Sequence, residues 1–373
     1  ATWQYSLDSG TTWQSGTGSS FTLSGDGTQN VLVRQTDVAG NQSANSAAFS
    51  FTIDTAAPST TAAVTSITDN VGIVQGTVTS GGVTDDTSLV IGGTLSASLS
   101  AGETVRIYDG ATYLGDATVS GTSWSYTDSR TLTNGQSVSY TARVSDTAGN
   151  QSAAGTAYTA TVDTSASAPT LGLATDSGSS SSDKITNVGT VNVTGLESGA
   201  TWQYSTDNGA NWSVGTVTTI ALTGEGANTV LIRQTDLAGN VSTPTSYSFT
   251  LDTTVAGLGV GLTSDTGTSS SDGITRTGTL NVTGVESGAK VEYSIDGGNN
   301  WTTSFSAIEG LNTVLVRQTD VAGNTSGAST YTFTLDTTAS APGVVLSSDT
   351  GSSGTDRITK TGTLSVTGEP GSQ

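Results

Sequence analysis

The side chains able to do chemistry are few in kind and recur at fixed places. The 373-residue chain has no His, Cys or Met, and it carries 31 Asp+Glu against 11 Lys+Arg, a formal charge of −20. Without His there is no Ser-His-Asp triad and no ordinary zinc site. Without Cys there is neither thiol chemistry nor a disulfide frame. What remains is oxygen, in three recurring segments. The first is D-x-A-G-N-x-S, in "VRQTDVAGNQS" (Val33–Ser43), "ARVSDTAGNQS" (Ala142–Ser152), "IRQTDLAGNVS" (Ile232–Ser242) and "VRQTDVAGNTS" (Val316–Ser326). The second closes an alternating run on D-T, in "FSFTIDTAAP" to Pro58, "YTATVDTSASAP" to Pro169, "YSFTLDTTVA" to Ala256 and "YTFTLDTTASAP" to Pro342. The third is "DSGSSSSDKIT" from Asp176, "DTGTSSSDGIT" from Asp265 and "DTGSSGTDRIT" from Asp349. Ligands of this kind suit Ca²⁺ or Mg²⁺ rather than transition metals. A polyanion also repels nucleic acid and anionic membranes, so neither is expected as a partner.

A fourth pattern, S-x-D-x-G-x-x-W, stands at "YSLDSGTTW" (Tyr5–Trp13), "YSTDNGANW" (Tyr204–Trp212) and "YSIDGGNNW" (Tyr293–Trp301). This is the Asp-box spelling of sialidase propeller blades, and it raises the question of a glycosidase. Blades repeat at about 40–50 residues, whereas these boxes fall one per far longer unit. The second unit has "YDGATYLG" (Tyr108–Gly115) instead, and the Arg that recurs does so once per unit in the same strand (34, 143, 233 and 317) rather than in a substrate-binding cluster. The enzyme reading fails on spacing. D-S-G, D-N-G and D-G-G instead predict tight hairpin turns, with Gly at positive φ and Asp bonding the following amides. Trp13, Trp212 and Trp301, with Trp124, are expected to pack into cores rather than to contact a ligand.

These residues must be positioned by a repeating scaffold. The Arg ahead of each D-x-A-G-N stands at 34, 143, 233 and 317, steps of 109, 90 and 84 residues. Stretches such as "TLNVTGV" (Thr279–Val285), "TVLIRQT" (Thr229–Thr235) and "YSFTLD" (Tyr247–Asp252) alternate inward and outward residues between Gly/Asn/Asp/Ser turns, and no segment sustains a 3.6-residue period. Six to eight short strands per unit predict an all-β chain of tandem immunoglobulin-like antiparallel β-sandwiches in an elongated array. The module bounds read as 1–56 (C-terminal part), 57–166 (long subtype), 167–254, 255–339 and 340–373 (N-terminal part). No apolar run approaches 18 residues, so no membrane insertion is expected.

At the three anchors the chain resembles the tandem bacterial immunoglobulin-like (Big-type) repeats of giant type I-secreted, RTX-type adhesins and biofilm-associated proteins. "ITDNVGIVQGTVTSGGVTDD" (Ile67–Asp86) and "VRIYDGATYLGDATVSGTSWSYTD" (Val105–Asp128) look like a longer subtype of the same repeats. The resemblance covers essentially the whole chain. It implies a seven-stranded sandwich, placement outside the cell at a bacterial surface, and a non-catalytic extender for cell adhesion and biofilm formation. It further implies Ca²⁺ at or near module junctions, the neighbouring modules as partners, and host or surface glycans bound by domains outside this sequence. The linker Pro of the pattern is missing at "DTTVAG" (Asp252–Gly257), which bears on the stiffness of that joint.

Assuming an immunoglobulin-like strand order, the opening loop and the end of the last strand lie at one pole of a module, and the D-x-A-G-N turn at the other. Each joint then gathers three oxygen-rich segments. Between the third and fourth modules these are Asp176 and Asp183, Asp252, and Asp320 with Asn324. Asp163, Asp236 and Asn240 serve the joint before, and Asp54, Asp146 and Asn150 the first joint. Asp265, Asp272 and Asp336 close the fourth module, and Asp349 with Asp356 opens the fifth; Asp69, Asp85 and Asp86 are further candidates in the long module. Carboxylates at 4 Å repel by roughly 1–4 kcal/mol a pair, and Ca²⁺ with its 6–8 oxygens would reverse that sign. The bland alternatives are that D-x-A-G-N is only a turn and the opening loop a solvated spacer. A glycan- or ice-binding module, or decoration of a phage or surface layer, would share the same fold.

Overall fold

The structure, a computed structural model, describes residues 1–370; residues 371–373 of the fifth expected module lie outside the described residues. The described residues hold strands, turns and bends and no helix, so none is long and apolar enough to cross a membrane. The chain is a tandem series of β-sandwich modules. By contacts it divides into two compact units. One comprises Ala1–Pro169, Gly195–Gln203 and Ile232–Pro244, the other Thr170–Thr194, Tyr204–Leu231 and the described residues from 245 onward.

In the first unit the long module is a complete sandwich of two five-stranded sheets. One sheet runs, edge to edge, through Thr112–Asp116, Thr104–Asp109, Ser137–Ser145, Tyr158–Val162 and Gly82–Thr84. The other runs through Thr118–Ser120, Ser123–Thr127, Val90–Leu95, Ala62–Asp69 and Gly76–Val78. Ten strands exceed the six to eight expected. The excess comes from short strands, Thr118–Ser120 in the hairpin with Ser123–Thr127 and the three-residue Gly76–Val78 and Gly82–Thr84. Strand alternation places Ile67, Ile91, Val105, Ile107, Val138, Val144 and Val162 between the sheets, essentially excluded from water. Each such side chain contributes about 1.5–3 kcal/mol of burial. Residues 1–56 form one sheet with strands at 14–15, 2–6, 27–36 and 49–53 in that order.

One topological detail fixes the site. The chain leaves the first strand, loops, and returns as a short strand pairing in parallel with the last strand of the module, on the opposite sheet. In the long module Gly82–Thr84 pairs with Tyr158–Val162. In the second unit Ile185–Thr186 pairs with Thr245–Leu251, and Ile274–Thr275 with Ser329–Leu335. The closing Asp is thereby tied to the loop: the amides of Asp163, Asp252 and Asp336 donate to the carbonyls of Thr84, Thr186 and Thr275 at 2.8–2.9 Å. The cores of the second unit are smaller. Among the described residues, Val191, Phe249 and Leu251 form one cluster, and Leu258, Val314 and Val316 another.

Candidate functional site: opening loops and joints

All four D-x-A-G-N segments are closed turns. Gly40, Gly149, Gly239 and Gly323 have φ of 88–101°. The Asp amide donates to the Asn carbonyl at 3.0–3.1 Å in every copy. The Asp carboxylate takes the Asn backbone amide on Oδ1 and the Asn side-chain amide on Oδ2, as in Asp320–Asn324 (2.8 and 2.7 Å) and Asp236–Asn240 (2.9 and 2.8 Å). That bonding holds Asp146 below the usual carboxylate range, the Asn150 side chain being the main cause.

The same Asn side chain reaches across the joint. Asn150 donates to the carbonyl of Asp54 (3.0 Å), Asn240 to that of Asp163 (2.8 Å) and Asn324 to that of Asp252 (2.8 Å). Between the third and fourth modules the opening loop also docks on the turn. The Ser177 hydroxyl donates to the Ala322 carbonyl at 2.6 Å, and the Ser179 amide to that of Val321 at 3.2 Å. The expected segments therefore do meet. Among the described residues, however, no group of three or more carboxylates is close enough to hold a metal ion. Locally available amides occupy them first. Asp54, Asp163, Asp252 and Asp336 each bond the amide two residues on, and Asp183, Asp272 and Asp356 do the same with Ile185, Ile274 and Ile358.

One oxygen per opening loop is different. Asp176, Asp265 and Asp349 accept an amide on Oδ2, from Lys184, Gly273 and Arg357 at 2.9–3.0 Å. Their Oδ1 atoms are buried and accept no hydrogen bond. Lys184, Gly273 and Arg357 all sit at φ of 62–71°, so three different residue types adopt one left-handed loop. A desolvated carboxylate oxygen without a donor has a free lone pair to offer, so this loop fits an oxygen-liganded cation better than any other part of the joint.

Asp85 of the long module repeats the feature: its Oδ1 is also buried without a partner. Burial first, then the charges of Asp69, Asp86 and Asp236, push its carboxyl above the usual range.

Sequence reasoning missed a second set of joint residues. Gln318 is fully buried; its Nε2 donates to the carbonyls of Ala256 (2.9 Å) and Gly284 (3.1 Å), and its Oε1 accepts the Glu286 amide (2.9 Å). Gln234 repeats this with Ser167, Gly195 and Glu197. Glu286 accepts the amide of Ala256 at 2.6 Å and Glu197 that of Ser167 at 2.7 Å. The available signal was the recurrence of R-Q-T-D and T-G-x-E-S-G in the third and fourth modules.

The Asp-boxes are the expected hairpins. Ser6, Ser205 and Ser294 donate to Asp8, Asp207 and Asp296 at 2.7 Å, and those carboxylates bond the amides of Thr12, Asn211 and Asn300. The core expectation for the box tryptophans is corrected: Trp13, Trp212 and Trp301 are half-buried, and of the four named residues Trp124 alone lies in a core. Trp13 and Trp301 lie under the guanidinium groups of Arg34 and Arg317, each 4.0 Å from the ring centroid. Arg34 is steered there by Gln4 and Arg317 by Glu292.

No protein-family profile matches the chain. It is 31% identical over 329 residues to exoglucanase B of Cellulomonas fimi, across 77% of this chain and 28% of that protein. The chain thus spans less than a third of the length of that curated relative. Among solved structures, the fibronectin(III)-like modules of Clostridium thermocellum CbhA align over 47% of this chain and 90% of theirs, at 15% identity and a TM-score of 0.27.

Proposed function

We propose that the chain is a non-catalytic extender whose β-sandwich modules hold a functional domain at a distance, outside the cell. The observation that carries this reading is the joint itself: an Asn side chain from one module bonded to the main chain of the module before it, at three successive junctions. Glycoside hydrolysis by the common routes needs two carboxyl groups facing each other across a cleft. The groove at Val74–Val83 carries Asp69 alone, and the groove beneath the last Asp-box carries Asp296 alone, already committed to its hairpin.

The finer reading is an extender of a bacterial surface adhesin, secreted through a type I system and serving biofilm formation. Ca²⁺ would be held in the opening loops, with the Oδ1 atoms of Asp176, Asp265 and Asp349 as primary ligands. At the ~10⁻⁴–10⁻³ M affinities usual for extracellular modules, 10 mM Ca²⁺ would add about 1.4–2.7 kcal/mol per site. A second reading is a spacer within a polysaccharide-degrading enzyme, favoured by the shared stretch with exoglucanase B.

Single-molecule stretching tests both levels. A module of 84–90 residues should release about 28–32 nm of chain per unfolding event, at forces that rise when Ca²⁺ replaces EGTA. Extension without discrete events would refute the extender. Events at forces indifferent to Ca²⁺ would remove the ion and leave the extender standing.

A further inference from the structure

The linkers between modules are where an extender would be expected to flex, yet two of them are held at a single residue by both of its backbone polar groups. At Ala256 the amide donates to Glu286 and the carbonyl accepts from Gln318. At Ser167 the amide donates to Glu197 and the carbonyl accepts from Gln234. The gripping amide is fully buried in both cases, and its own oxygen is taken by the amide of the gripping Glu, so the device is pre-set within the following module. The same linker is anchored backwards as well: Glu225 accepts both the amide and the hydroxyl of Thr253.

We infer that the Gln/Glu pair of each following module is a binding site for extended peptide backbone, which captures the incoming linker without a metal and without reading its side chains. Every cross-joint contact just named to Ser167 and Ala256 goes to a main-chain atom. This accounts for one residue being Ser and the other Ala. It also accounts for the linker at Asp252–Gly257 being held in the manner of its Pro-containing counterpart. A charged acceptor on the backbone amide and a buried amide on the carbonyl hold the residue from both sides; the Glu bond lies at the surface, and the Gln amide is the partner withdrawn from solvent. The joint before the second module is built differently. Val144 stands where the others have Gln, and Pro58, which has no amide, stands where they have the gripped residue. That joint keeps Asn150 on Asp54 and is the pliant one. An extender of this design has stiff joints and one preset hinge, fixed by hydrogen bonds to a buried amide and a carboxylate rather than by a bound ion.

The inference rests on the extender reading but is tested apart from it, by amide hydrogen exchange on the whole chain with Ca²⁺ and with EGTA. The expected result is slow exchange at Ala256 and Ser167 in both conditions, with Ala57 in the first linker exchanging at least tenfold faster. The double substitution Glu286→Ala/Gln318→Ala should speed Ala256 at least tenfold while the strand at 310–319 stays protected and Ser167 stays slow. Ala256→Ser should leave protection unchanged. Exchange at Ala256 that is fast in the wild type, becomes fast on chelation alone, or is unmoved by the double substitution overturns the inference. Any change confined to 176–187 or 265–275 on chelation reports on calcium in the loops and leaves the clamp untouched.

Discussion

The long module has no D-x-G-x-S opening loop, and its core is closed instead by a buried charge network whose removal can be priced in advance. Asp128 is fully buried. Its Oδ2 accepts the Tyr140 hydroxyl at 2.6 Å and Arg130 Nη2 at 2.6 Å, and Arg130 Nε lies 3.0 Å from both oxygens. Arg130 continues to Asp109 at 3.0 Å, and Asp109 in turn accepts the Ser139 amide. Burial pushes the Asp128 carboxyl up, but the bonds from Arg130 and Tyr140 prevail and hold it below the usual carboxylate range. In Asp128→Ala the Tyr140 hydroxyl, itself fully buried, loses its acceptor, at about 1–3 kcal/mol. Breaking a fully buried pair costs about 3–5 kcal/mol. That figure must be discounted here, because the Arg130 side chain is 35% exposed and keeps Asp109. The net expectation is about 3 kcal/mol, or about 12–20 °C in the melting temperature of a module near 100 residues. Tyr140→Phe should cost about 1–2 kcal/mol, and the double variant less than the sum, since the hydroxyl that Asp128→Ala leaves without an acceptor is then gone. Differential scanning calorimetry of the whole chain would resolve this as one transition moving while the others stay. A shift below about 1 kcal/mol for Asp128→Ala would refute the claim that this carboxylate closes the core.

Two further outcomes follow from the loops and turns. The hydrogen bonds of the Asp-boxes lower Asp8, Asp207 and Asp296 to about 2, led by Thr12 for the first and Asn211 and Asn300 for the others, so NMR titration should find them ionised well below 3.8. Because the folded value is the lower one, their contribution to hairpin stability is present above about 3.8 and fades as pH falls through about 2. Gly178 has φ of +95°, and a Cβ there would lie 2.0 Å from the Val321 carbonyl, so Gly178→Ala should destabilise by about 1–3 kcal/mol and unprotect the 320–324 turn to hydrogen exchange. Gly172→Ala, with open space at its Cβ, should do neither.

Much of the architecture could be read before any coordinates, because period-2 alternation in runs such as Thr229–Thr235 admits only strand, and the anchors at 34, 143, 233 and 317 set the repeat. The meeting of opening loop, closing strand and turn could also be read, since each follows from strand order. What could not be read was the fate of each carboxylate. An Asp beside Gly, Asn or Ser has main-chain amides within two to four residues, and these local donors capture it before a distant segment can. Asp320 thus spends both oxygens on Asn324, whereas Asp176 keeps one oxygen buried and unbonded. The box tryptophans failed for a related reason. Alternation places a residue on a face of the sheet but does not say whether that face meets a second sheet or a guanidinium group.

The residues that sequence reasoning passed over, Gln234 and Gln318, are informative for what they lack. Neither is charged, and a chemical reading that follows charge will not stop at them. Yet a neutral amide is well suited to a joint in a chain of charge −20. It can be buried completely once both of its ends are bonded, whereas a carboxylate in the same place would face the desolvation that raises Asp85. An acidic surface repels neighbouring copies, and the buried half of the grip between modules is an amide that carries no charge for salt to screen. The two proposed tasks fall on different residues: an unpaired oxygen at Asp176, Asp265 and Asp349, where we propose the ion, and a saturated amide at Gln234 and Gln318 for the chain.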